Sequence, residues 1–85
     1  MDQVKFKLIS LILNPWGDQV GNLHLNLATG TFHCTDEHDE IDLDGHASPE
    51  AALASFREMV RAINVREADM SEEDAAAYVA GLRLS

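Results

Sequence analysis

The sequence predicts an α+β domain: an antiparallel sheet of three to four strands, followed by two helices packed on one of its faces. Three observations carry that expectation. Apolar residues recur at every second position over 4–8, 23–27 and 32–34, a capped helical stripe begins at Ser48, and a second capping signal stands at Ser71. Strand signals precede helix signals, with no internal repeat and no low-complexity linker between them. At 85 residues the chain has room for one small domain, 1–85, and not for two. With 46% apolar and 25% charged residues, its composition is that of a chain that builds a core.

Val4, Phe6 and Leu8 alternate with Lys5 and Lys7, as on a half-buried strand. From Ile9 to Leu13 the alternation fails, because Ile9, Leu11, Ile12 and Leu13 fall on both faces. Either a bulge near Ser10 resets the parity, or this end of the strand is covered on both sides, as in a homodimer. The segment Asn14-Pro15-Trp16-Gly17-Asp18 then supplies turn chemistry.

The next two runs form a hairpin. Leu23, Leu25 and Leu27 alternate with Asn22, His24 and Asn26, and Phe32 and Cys34 alternate with His33 and Thr35. A turn at Thr29-Gly30, or a loop over 28–31, sets Leu27 opposite Phe32 and Leu25 opposite Cys34, so the apolar side chains share one face. The other face then shows Asn22, His24, Asn26, His33 and Thr35. Ile41 and Leu43, flanking Asp42, are expected to make a short fourth strand at an edge, where charge discourages strand addition.

Ser48-Pro49-Glu50 opens the first helix, with serine as cap, proline at the first helical position and a carboxylate in the positive first turn. Leu53, Phe56, Met59, Val60 and Ile63 follow at helical spacing and form a stripe facing the sheet. Arg57, Glu58 and Arg61 are expected to pair locally along this helix. Ser71-Glu72-Glu73-Asp74 is a capping-box variant that starts a second, shorter helix, built mostly on alanines with Tyr78, Val79 and Leu82 as its larger groups and stopped by Gly81.

Charge is the most informative functional signal. There are 15 acids against 6 bases, a formal net charge of -9, and the excess is local. Residues 36–50 hold seven acids and no base, whereas residues 1–35 balance and residues 51–85 carry six acids against four arginines. This distribution argues against direct binding of nucleic acid or an anionic membrane. A basic protein surface, such as that of a nucleic-acid-binding protein, or a cation is the better partner. The apolar run after Lys5 and Lys7 is short, meets Asn14-Pro15 and lacks a cleavage site, so it reads as a strand and not as a secretory signal. A single cysteine fits a reducing cytoplasm.

The stretch 33–46, HCTDEHDEIDLDGH, concentrates three histidines, one cysteine and six carboxylates. Glu40-Ile-Asp42-Leu-Asp44-Gly45 resembles the first half of a calcium-binding EF-hand loop, but its first position is glutamate and Glu50 falls one short of the bidentate position. For zinc, His33 and Cys34 point to opposite faces of a strand. His24 and His33 are geometrically better as diagonal neighbours on the polar face, with His38 or Asp36 as a third ligand. For catalysis, Cys34 faces inward against Leu25, where a thiol acts as a small apolar group, and a solvated acidic run offers no pocket in which a carboxylate could act as acid or base. No phosphate-cradling loop or nucleophile motif is present.

The expectation that remains is a non-enzymatic acidic module without a cofactor. It docks on a basic partner through Asp36, Glu37, Asp39, Glu40, Asp42 and Asp44, with Trp16 adding contact. Trp16 itself is read first as an anchor closing the end of the core and second as an exposed hot spot. Antitoxins, immunity proteins and phage-encoded inhibitors include small acidic domains of this kind, an analogy of size and charge alone. A zinc- or calcium-binding domain using His24, His33 and His38, or the Glu40, Asp42 and Asp44 oxygens, is the alternative. A charge that serves only solubility is the plainest reading of all.

Overall fold

The computed structural model describes residues 6–36 and 45–85. Three antiparallel strands come first, β1 (Phe6–Leu13), β2 (Gln19–Asn26) and β3 (Thr31–Asp36), followed by two helices, α1 (Pro49–Glu67) and α2 (Glu72–Ala80). A two-residue strand, β4 (Arg83–Leu84), then returns to the sheet beside β1, giving the order β3-β2-β1-β4 with every neighbour antiparallel. The α+β architecture expected from the sequence is thus the one observed. The short β4 is an addition to it, while the strand expected at Ile41–Leu43 lies outside the described residues.

β1 explains its own broken alternation. Its register against β2 slips between Leu8, opposite His24, and Ser10, opposite Leu23, so the extra residue Ile9 bulges and resets the parity. Beyond the bulge Ile12 turns inward and is fully buried, whereas Phe6, Leu8 and Ile9 remain about half exposed. A bulge therefore accounts for the pattern without a second copy of the chain covering this strand.

The hairpin corrects the expected register. Leu25 stands opposite Phe32 and Leu23 opposite Cys34, a two-residue slide from the pairing of Leu27 with Phe32 and Leu25 with Cys34. The cause is local. Asn26 accepts from the amides of Ala28 (2.9 Å) and Thr29 (3.3 Å) through its side-chain oxygen, and its carbonyl accepts from Gly30 N–H at 2.8 Å. Gly30 takes φ +72°, which suits glycine, so the loop spans 27–30 and Leu27 is pushed into solvent. A slide of two leaves every side chain on its face, which is why the apolar alternation survives the error.

The core lies between the inner sheet face and the helices. Ile12, Leu23 and Cys34 from the sheet meet Ala52, Leu53 and Phe56 of α1, Val79 of α2, and Leu82 just beyond it. Gly21 permits a close approach of α1 to the sheet: a Cβ there would stand 2.6 Å from the Thr35 carbonyl oxygen and 2.9 Å from Phe56 Cζ. Both predicted caps form, with Ser48 Oγ accepting from Ala51 N–H and Ser71 Oγ from Asp74 N–H, each at 3.1 Å. Met59, expected in the buried stripe, is instead exposed at its rim, since Phe56 and Val60 on either side of it take the inward positions. Arg61 pairs with Glu58 as expected, but Arg57 reaches across and donates to the Leu82 carbonyl, tying α1 to the start of β4.

Candidate functional site

Three groups of candidate residues can be placed on this fold. The acidic segment is framed by its two described ends: Asp36 closes β3 opposite Gly21, and Glu50 is exposed in the first turn of α1. Glu37, His38, Asp39, Glu40, Asp42 and Asp44 lie outside the described residues. The return from this segment to α1 is fixed by His46, whose backbone exchanges two hydrogen bonds with Phe32, at 2.8 and 2.7 Å, on the free side of β3. The His46 Nε2 is buried and has no hydrogen-bond partner among the described residues.

The second group is on the outer sheet face. His24 and His33 are direct cross-strand partners, closer than the diagonal relation expected from the sequence, as a consequence of the two-residue slide. Their rings stack with centroids 5.1 Å apart and planes 19° from parallel, and Phe6 meets His33 edge-on at 4.9 Å. His24 Nε2 is 3.1 Å from Thr35 Oγ1. An imidazole lone pair lies in the ring plane, so two nearly parallel rings aim their nitrogens side by side and not at one point. Among the described residues no three His, Cys, Asp or Glu side chains gather as a metal site would require.

Cys34 is fully buried beside Leu23, and desolvation pushes its thiol up to about 11. A thiol held protonated and out of contact with solvent is a packing group and not a nucleophile. This matches the inward placement expected from the sequence, with Leu23 replacing Leu25 as its partner.

The third group centres on Trp16, and here the first sequence reading is corrected. Trp16 does not close the core; it is 76% exposed. The turn between β1 and β2 explains why. The Asn14 side-chain oxygen accepts from both Trp16 and Asp18 N–H, each at 2.9 Å, and this small closed turn holds the indole outward. The core end is sealed instead by Leu82 and by Pro15, which packs against Gly81. The indole lies against Tyr78 of α2, with ring centroids 6.1 Å apart. Together they border a cleft of about 370 Å³ that is completed by Pro15, Met70, Asp74 and Ala77. Met70, Asp74 and Tyr78 carried no functional signal in the sequence, because only the packing of α2 beside the turn brings them to Trp16.

No family model, no curated protein and no solved structure matches this chain.

Proposed function

We propose that this chain is a non-enzymatic, acidic protein-binding module that docks on a basic surface of another macromolecule, in the manner of a small inhibitor. The observation that carries this reading is the concentration of charge: residues 36–50 hold seven acids without one base in a chain of net charge -9. Such a field raises the rate of encounter with a lysine- and arginine-rich partner and selects against anionic ones. Two further observations support it. Trp16 is a large aromatic held in solvent by a closed turn, as interface anchors are, and Asp74 in the first turn of α2 lines the same cleft. The burial of Cys34, which pushes its thiol up to about 11, favours a packing role for it over a nucleophilic one.

The test is charge reversal. Replacing Asp36, Glu37, Asp39 and Glu40 by lysine is expected to abolish capture of basic partners, while circular dichroism stays unchanged. Retention of the same partners at the same affinity would remove the reading. We also propose self-association through the apolar run Ile9–Leu13 of β1, in which Ile9 is 42% exposed. Sedimentation that returns the monomer mass at micromolar concentration would rule out the homodimer. Elemental analysis of untagged protein decides the metal-binding alternative, for which the described residues offer the His24–His33 pair.

A further inference from the structure

The cleft beside Trp16 is built from three segments of the chain, the first far in sequence from the other two. Pro15 and Trp16 come from the β1–β2 turn, Met70 from the link between the helices, and Asp74, Ala77 and Tyr78 from α2. The last three are spaced i, i+3, i+4 and so share one helix face, with the small Ala77 opening a notch between the larger groups. The volume of about 370 Å³ lies at the lower end of the range for small-ligand sites, room for one long side chain.

We propose that this cleft receives an arginine side chain of the basic partner, an assignment that rests on the docking reading above and gives it a specific contact. The chemistry of the lining selects that occupant. The indole and phenol rings offer π faces that attract a cation, and the methylene stem of arginine matches Pro15, Met70 and Ala77. Asp74 supplies the carboxylate and Glu73 lies in the same turn, while Glu72 pairs with Arg61 at 3.8 Å. Asp74 is exposed at the edge of a mostly apolar lining, so it meets a cationic head in water while the stem fills the cleft. The ring centroids, 6.1 Å apart, are too close for a planar group to enter between them. The guanidinium therefore stacks on the exposed indole face that borders the cleft, which favours its flat, weakly hydrated plane over a lysine ammonium. The guanidinium of Arg83, on the strand that follows α2, is engaged by the Asn14 carbonyl at 2.9 Å.

Trp16 is the only tryptophan, so its emission reports this cleft alone. The full chain would be titrated at low ionic strength with an acetylated hexa-arginine peptide and with its citrulline analogue, which has the same shape and no charge. Emission and calorimetry would be read together for the parent, Trp16→Leu, Asp74→Asn and the four-site lysine variant of residues 36, 37, 39 and 40. The expected result is a saturable emission change with the arginine peptide and none with the citrulline peptide. Asp74→Asn and Trp16→Leu should each weaken binding by about 2- to 30-fold, the worth of one cation–π or ion contact. Calorimetric binding with unchanged emission and full affinity in Trp16→Leu would overturn the cleft assignment while the docking reading stands. Equal binding of the citrulline peptide would also overturn it, since the cleft would then be selecting an apolar group. No heat of binding from the parent would defeat both.

Discussion

Gly21 and Phe56 show how much one residue decides at this size. The ring of Phe56 packs so close to the β2 backbone that a Cβ on residue 21 would overlap it at 2.9 Å and the Thr35 carbonyl at 2.6 Å. Gly21→Ala is therefore expected to cost about 1–3 kcal/mol by overpacking, and Phe56→Ala about 3–5 kcal/mol through the cavity it leaves, both measured by urea denaturation. Cys34 gives a pH signature. Its thiol, raised from 9.0 to about 11 in the fold, contributes stability that is complete below pH 9 and is lost as pH rises toward 11, because the unfolded thiol ionises first. The unfolding midpoint of the parent should fall across that window more steeply than that of Cys34→Ala. Glu58 behaves differently. Its hydrogen bond with Arg61 holds the carboxyl below the usual carboxylate range, but both groups are solvated, so their pairing shapes the helix surface and adds little to stability.

At the scale of elements, helix ends were the most legible signals because a cap is a local contract between a side chain and amides three residues on. Ser48→Ala and Ser71→Ala should each cost about 0.5–2 kcal/mol, with the effects adding because the two caps are far apart. Strand pairing was legible in its faces and not in its partners. The period-2 pattern of Leu23, Leu25, Phe32 and Cys34 fixes which side chains point inward, while the turn chemistry of Asn26 and Gly30 fixes who stands opposite whom. Gly30→Ala should cost about 1–2 kcal/mol, the penalty for a Cβ in left-handed backbone. β4 had no periodic signal at all, since two residues cannot display a period. It is held by Leu82 in the core, by Arg57 donating to the Leu82 carbonyl, and by Ser85 N–H bonded to the Leu11 carbonyl at 3.0 Å.

For the whole molecule, net charge sets two opposite responses to salt. A charge of -9 on 85 residues repels itself, so added salt should raise the melting temperature by on the order of a few degrees as it screens that repulsion. The same salt should weaken binding to a basic peptide, because that attraction is screened as well. Parallel melts and binding titrations over one salt series would check the pair of predictions; affinity indifferent to salt would set the acidic surface aside as the docking site. Among the described residues no helix is long and apolar enough to cross a membrane.

The sequence by itself determined the α+β class, both helix starts, the inward face of the two hairpin strands, the burial of Cys34 and the lopsided charge. These follow from spacing along the chain, and backbone geometry converts spacing into direction without reference to distant residues. Only the tertiary structure decided the register of the hairpin, the direct stacking of His24 on His33, the outward setting of Trp16, the crossing of Arg57 to Leu82, and the cleft shared by Trp16, Asp74 and Tyr78. Each of those depends on a turn's hydrogen bonds or on how α2 lies against the β1–β2 turn. A one-dimensional pattern carries direction but not distance, and sites are made of distances.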